Sequence, residues 1–276
     1  MNSQLNKINN ETISVIMAVY NCENTVSAAI ESIINQSYQD FQLIICNDCS
    51  TDRTAEIVKE YSLSFPEKIV FIENDKNLLL PSSLNHCLKY AKGKYIARMD
   101  GDDYSYPDRF EQQVEYLREH PNVDLVGTAM EIFDGENIIG KVIKKDSPVK
   151  EDAILTNPFS HGTIMTYKYV YDELNGYSLE NRAVRVEDYD LWIRFFSYGF
   201  IGKNITNICY RALENSSTIK RRKFKYRVNG YKTAKYGVKQ LGLSKTKLIM
   251  PFFSLLKGLI PRRIYVFLHK KRYSNH

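Results

Sequence analysis

Three carboxylates crowd into four residues at Asp100-Gly101-Asp102-Asp103. Like charges this close raise one another's pKa and repel, so a divalent cation held by hard oxygen ligands would give the arrangement a purpose. A surface turn rich in Asp and Gly would explain the stretch if it stood alone. A second acidic group, Glu187-Asp188 with Asp190 just beyond, opens the stretch RVEDYDLWIRFF, in which Leu191, Trp192, Phe195 and Phe196 would share one helix face. Carboxylates at a helix N-terminus complement its dipole, and one of them can equally serve as a general base. His161 lies in the interruption Pro158-Phe159-Ser160-His161-Gly162. Beside a structural role it is open to three readings: metal ligand, donor to phosphate, or acceptor contact. The cysteines, at 22, 46, 49, 87 and 209, include one C-x-x-C but no second pair and no His at ligand spacing. That excludes a zinc site and suits reduced thiols.

Alternating strands and helices must position these groups. Residues 13–20, ISVIMAVY, form an almost unbroken apolar run, the pattern of a strand buried on both faces of a parallel sheet. Helical spacing follows over Thr25 to Gln36, a second strand over Phe41 to Cys46, and a second helix over Thr54 to Tyr61. Ile69 to Glu73 reads as a third strand, Leu80 to Ala91 as a third helix, and Lys94 to Met99 as a fourth strand. This order predicts an α/β domain of right-handed β-α-β units, with ligands at the carboxyl ends of the strands. Three tips then converge on one crevice: Tyr20-Asn21, Asn47-Asp48 and Asp100 to Asp103. Neither G-x-G-x-x-G nor G-x-x-x-x-G-K-[ST] is present, which removes the main support for a dinucleotide oxidoreductase or a P-loop. Further on, a helix is expected over Asp108 to His120, then strands over Val123 to Phe133 and Ile138 to Ile143. After Ile201 the chain reads as basic, with a polar loop around Arg211 and Asn215 to Ser217.

The net charge of +6 is unevenly placed: from Lys220 to the end there is neither Asp nor Glu. Cations alternate with Phe224, Tyr226, Tyr231 and Tyr236, and the runs PFFSLLKGLIP and IYVFLHKKRY follow. Basic residues among aromatics also occur in RNA binders, but short apolar runs framed by cations better fit an anionic membrane interface, so no nucleic-acid partner is expected. No run reaches the length of a membrane span. The polar start, MNSQLNKINNET, lacks a signal-peptide core, and a cytoplasmic protein is expected.

Taken together, ISVIMAVYN, IICNDCSTDRT, AKGKYIARMDGDDYSYPDRFEQQ and EDYDLW, in this order, closely resemble the family 2 glycosyltransferases, over about residues 12–200. The resemblance implies a GT-A fold: a Rossmann-like, mostly parallel sheet flanked by helices. It implies a catalytic domain over residues 1–219, with a nucleotide-sugar half at about 12–105 and an acceptor half at about 106–219, and a mainly helical basic extension over 220–276. It further implies an inverting, metal-dependent transfer from a nucleotide-sugar, a UDP-sugar by expectation, using Mn2+ or Mg2+. The acceptor would be a glycan or a polyprenyl-diphosphate-linked sugar at the inner face of the plasma membrane. By position, Asp102 is the metal ligand, with His161 a further candidate. Val19, Tyr20, Asn21, Asp48, Arg98, Asp100 and Gly101 would line the nucleotide-sugar. Asn47 stands where the family usually has a first acid, and Asp48 keeps the position that meets the nucleobase. Asp188 would be the general base and Glu187 its orienting neighbour, with Trp192 and His161 toward the acceptor. Arg98 and Arg109 are candidates for the phosphates or for structural ion pairs. The rival classes are a metal-dependent nucleotidyltransferase, which would release pyrophosphate, and a non-catalytic membrane or carbohydrate-binding module.

Overall fold

A computed structural model describes residues 12–214 and 224–256. The polar start, the loop at Asn215 to Ser217, the cations from Lys220 to Lys223 and the run IYVFLHKKRY lie outside the described residues.

One nine-stranded sheet organises the chain. Its centre is β1 (Ile13–Val19), flanked by β2 (Phe41–Asn47) and β4 (Tyr95–Asp100), with β3 (Ile69–Glu73) outside β2, and all of these pairings are parallel. Every residue of β1 except Ala18 is buried, because helices cover both faces of the sheet and leave no polar side for alternation to follow. Register brings the strand ends level. Ala18 lies opposite both Cys46 and Asp100, and Val19 opposite Asn47. Helices α1 (Val26–Ile34), α2 (Thr54–Ser64) and α3 (Leu80–Leu88) make the crossovers between these strands. The expected elements of this half are thus all present, with ends shifted by at most a few residues as helix termini fray.

Beyond β4 the sheet is mixed. The two-residue strand β5 (Tyr104–Ser105) leads into α4 (Arg109–Glu119), then β6 (Leu125–Phe133) and its hairpin partner β7 (Ile138–Val142). A short helix α5 (Asp152–Leu155), a single 3₁₀ turn at His161–Thr163 and β8 (Met165–Tyr167) follow. β8 bridges β4 and β6, antiparallel to both. Next come α6 (Lys168–Glu173), α7 (Glu187–Ser197) and β9 (Gly202–Leu213), which runs parallel to β6 and pairs β5 at the edge. The sequence reading missed β9, taking the region after Ile201 as basic loop. Polar residues interrupt its apolar pattern, and its register against β6 shifts twice, so no clean period of two survives.

Two apolar layers sandwich the sheet. Val26, Ile30, Val58, Phe110, Val114 and Leu117 from α1, α2 and α4 pack on one face. Leu84, Tyr171, Leu191, Trp192 and Phe195 pack on the other, joined by Val238 from α8 (Phe224–Gln240). This part of the basic extension therefore completes the second core. A final helix, α9 (Ile249–Leu256), packs beside α8. Among the described residues no helix is long and apolar enough to cross a membrane.

Candidate active site

Side-chain hydrogen bonds stitch the expected tips into one rim. Asn21, held at φ +50°, accepts from the Thr51 amide through Oδ1 at 2.8 Å, and its own backbone amide donates to the Ser50 hydroxyl oxygen at 3.1 Å. The Thr25 hydroxyl donates to the Gly101 carbonyl at 3.0 Å, tying the acidic turn to the loop after β1. Tyr20 is exposed at the lip. Gly101 is sterically required: a Cβ there would lie 2.7 Å from Val19 Cγ1. Val19 and Gly101, both expected at the nucleotide-sugar, are buried, so any contact of theirs with it runs through the backbone. They pack on each other and set the height of the turn.

Asp48 lies just after β2, its carboxylate turned toward the next loop. It is 4% exposed, and its two oxygens accept from the Leu78 and Leu79 amides at 2.8 and 2.9 Å and from Asn74 Nδ2 at 2.9 Å. With both oxygens engaged, it shapes the loop between β3 and α3, and Leu79, at φ +69°, is held there in a strained conformation.

The carboxylates of the acidic turn have distinct environments. Asp100 forms a bidentate ion pair with Arg98, and its backbone amide donates to the Tyr210 hydroxyl oxygen at 3.2 Å. Asp103 accepts from the Leu213 amide at 2.8 Å, which fastens the end of β9 to the turn. Burial, reinforced by Asp100 and Asp102, pushes the Asp103 carboxyl well above the usual range. Asp102 is half-buried. Burial alone would lower the Arg98 guanidinium, but Asp100 more than reverses this, so Arg98 stays charged. Its charge is committed to Asp100 rather than to a phosphate. Arg109 is also structural. It donates to the Arg98 and Ile164 carbonyls at 2.9 and 3.2 Å, and burial pulls it down to about 10.

Among the described residues no group of three or more His, Cys, Asp or Glu side chains could hold a metal ion. Arg98 engages Asp100 and the Leu213 amide engages Asp103, so the turn is not a ready-made cage of three carboxylates. Asp102, half-buried at the rim, suits the mode in which Mg2+ or Mn2+ is held by one or two carboxylates together with substrate phosphates and water.

α7 opens with the E-D pair, and the Arg98 charge reaches Glu187 there. Asp188 Oδ2 accepts from Asn157 Nδ2 at 2.5 Å and Oδ1 from the Tyr189 amide at 2.7 Å. Asn157, which sequence reasoning passed over, thus holds Asp188 in the manner expected of Glu187. Only its place just before the Pro158 interruption hinted at it. Glu187 is 9% exposed, and its Oε2 has no hydrogen-bond partner among the described residues. Burial, then the charge of Asp188, lifts its carboxyl to about 7. Asp190 is fully buried between Arg182 and Arg194, the latter at 2.7 Å, and is an internal anchor.

His161 Nε2 pairs with the Tyr177 hydroxyl at 2.7 Å, and Tyr177 with the Tyr171 hydroxyl at 2.8 Å. Burial and the nearby Arg98 charge hold the imidazole well below its usual pKa, so it is neutral. With Nε2 engaged by a phenol and no carboxylate cluster around it, His161 does not form part of a metal site. Trp192 is also corrected: it is wholly buried, edge-on to Phe159 at 5.0 Å and to His161 at 6.0 Å, and presents no face to an acceptor. A cleft of about 1440 Å³ runs between α3 and residues 171–182, with Asn74, Leu78, Asn85 and Tyr177 among its walls. Asn85 clamps the Tyr177 backbone through both its amide groups, at 2.7 and 2.8 Å, so this wall is preformed.

Comparison with known proteins gives consistent results. The family model Glycosyl transferase family 2 matches residues 14–190. EpsE of Bacillus subtilis (strain 168) is 41% identical over 95% of this chain and 95% of its own length. The UDP-Glc:alpha-D-GlcNAc-diphosphoundecaprenol beta-1,3-glucosyltransferase WfaP of Escherichia coli is 27% identical over 91% of this chain and 95% of its own. Among solved structures, S. aureus TarS 1-349 in complex with UDP-GlcNAc superposes with a TM-score of 0.69 at 17% identity, over 90% of this chain and 71% of that one. The mannosyltransferase PcManGT from Pyrobaculum calidifontis, in complex with GDP-Man and Mn2+, does so at 0.64 and 16%, over 95% and 82%. The fold is the GT-A fold expected from the sequence.

Proposed function

This chain belongs to glycosyl transferase family 2, and on that footing we propose that it moves a sugar, with inversion, from a UDP-sugar to an acceptor hydroxyl in bacterial surface polysaccharide assembly. The observation that carries the reading is a pair of carboxylates of different standing, with the Arg98 that locks Asp100 also acting through its charge on Glu187 beside Asp188. Asp102 stands on the rim with the stitched loops after β1, β2 and β4, and Asp188 stands on α7, held by Asn157.

The nucleotide lies over the strand ends, with Tyr20 and Asn21 at its base and the loop held by Asp48 beneath it. Asp102 would hold a divalent cation together with the donor's phosphates, and that cation would offset the charge that develops on the departing diphosphate. Asp100, locked by Arg98, keeps the turn in shape for the ribose. Asp188 takes the proton from the acceptor hydroxyl as that oxygen attacks the anomeric carbon from the face opposite the diphosphate. The glycosyl–phosphate bond breaks, and a nucleoside diphosphate leaves. Neutral His161, linked to Tyr177 on the cleft wall, can donate or accept a hydrogen bond at the acceptor without adding charge. The acceptor approaches along that cleft. A polyprenyl-diphosphate-linked sugar is the acceptor class favoured, because WfaP, by its name, acts on a diphosphoundecaprenol substrate. Such an acceptor places the enzyme at the cytoplasmic face of the plasma membrane.

The test is a panel of sugar nucleotides incubated with the purified protein, with Mn2+ and then with chelator, identifying the nucleotide released. Nucleoside diphosphate released only with metal is expected. Release of a sugar 1-phosphate, with the nucleoside monophosphate transferred, would establish a nucleotidyltransferase instead. Asp188→Asn should abolish transfer while leaving donor binding intact, and normal turnover by that variant would remove Asp188 from the mechanism.

A further inference from the structure

Helix α9 turns its apolar side outward. Ile249, Phe252, Phe253 and Leu256 recur at i, i+3, i+4 and i+7, the spacing of a single helix face. On a helix docked to a core this face would be covered, yet these four side chains are 39–56% exposed, Met250 widens the stripe, and no residue of α9 is buried. The less exposed Pro251 and Leu255 lie on the other side.

The platform beneath is rigid. α8 approaches α7 so closely that a Cβ on Gly237 would lie 2.6 Å from Ile193 Cδ1. Thr233 donates to the Arg182 carbonyl at 2.8 Å and Asn229 to the Val184 carbonyl at 3.0 Å. α9 is held to α8 by Arg227, which donates to the Ser254 carbonyl at 3.0 Å, and by the edge-to-face contact of Tyr231 with Phe252. Opposite its docked face α8 carries Lys225, Lys232, Lys235 and Lys239, all exposed and on one stripe. From Lys220 onward the chain has 17 Lys and Arg and no acid, whereas all 32 Asp and Glu lie before it.

An apolar face flanked by cations has a specific complement. A second copy would bring two cationic ends together, and a nucleic acid would meet the lysines but leave the apolar side chains in water. A bilayer with anionic headgroups satisfies both: rings and aliphatic side chains enter the boundary between headgroups and acyl chains, and the lysines meet the headgroup phosphates. We propose that α9, together with the lysine face of α8, is a docking surface for an anionic phospholipid bilayer. It deepens the proposed function by naming how the enzyme meets its membrane, and rests on that reading only for the choice of leaflet. Because α8 packs on the helix that bears Asp188, docking would fix the catalytic wall relative to the lipid surface.

The experiment is co-sedimentation of the full chain with phosphatidylcholine vesicles, with and without about 30% phosphatidylglycerol. Binding is expected to the anionic vesicles, about tenfold or more above the neutral ones, and to weaken but persist as salt rises. Ile249→Ser with Phe253→Ser should cut the affinity about tenfold or more with the melting temperature unchanged, since both side chains are exposed. In Phe253→Trp, emission should be quenched by brominated lipid. Wild-type affinity in the double variant would overturn the proposal. So would an unquenched tryptophan, which would mean that residues 257–276 cover the face, or a change in solution mass without lipid, which would mean a second copy does. The vesicles hold neither donor nor acceptor, so failure here leaves the transfer reaction standing, and failure of transfer leaves vesicle binding standing.

Discussion

Replacing Glu187 by Gln should stabilise the protein, and the gain should appear only as pH rises. Burial, followed by the Asp188 charge, lifts this carboxyl from 4.5 to about 7. A carboxyl raised on folding binds its proton more tightly in the native than in the unfolded state. Its contribution is therefore most favourable below about 4.5, falls as pH passes through the interval up to 7, and becomes a constant penalty above it. Two and a half units at 1.36 kcal/mol each make that penalty about 3 kcal/mol. Glutamine keeps the shape and never ionises, so Glu187→Gln should match wild type at about pH 4.5 and exceed it by about 3 kcal/mol at pH 8 to 9. For a chain of this size each kcal/mol moves the melting temperature by about 2–4 °C, well within reach of calorimetry. The melts are run without divalent cations across that range, alongside Asp188→Asn. Removing the Asp188 charge should bring the pH-dependent loss to completion at lower pH and make it smaller, because that charge is the second cause of the shift. A Glu187→Gln advantage that is flat with pH, or a variant less stable than wild type at pH 8, would refute the reasoning. Stabilisation at pH 8 coupled to slower transfer would mark Glu187 as a residue kept for chemistry at the expense of stability.

Two further outcomes follow from the same contacts. Gly101→Ala must push Val19 aside and should cost about 1–3 kcal/mol in urea unfolding, with weaker donor binding because the acidic turn rides up. Asn157→Ala should lower kcat while leaving the donor KM unchanged, since it releases Asp188 from its 2.5 Å partner without touching the nucleotide rim; a change confined to KM would contradict the assignment.

The first half of the fold was legible because its signals are local. The apolar run of Ile13–Val19, the helical spacing behind it and the polar tips after each strand required no knowledge of distant neighbours. β9 was not legible, since its strand character comes from pairing with β6 some eighty residues earlier, and its own polar interruptions conceal the period. With it went Tyr210 and the Leu213 amide, two contacts that discipline the acidic turn.

From the sequence alone came the alternation that makes an α/β sheet, the identity of the acidic stretches and the cationic, aromatic end. These are properties of residue type and spacing. Only the tertiary structure could divide the acids among duties, because the standing of a carboxylate depends on what folds against it. Arg98 locks Asp100, β9 captures Asp103, backbone amides occupy Asp48, and two arginines enclose Asp190. The same holds for the apolar run at 249–256. Its setting among cations reads as an interfacial segment, and only the packing of α9 on α8 shows which of its side chains face outward.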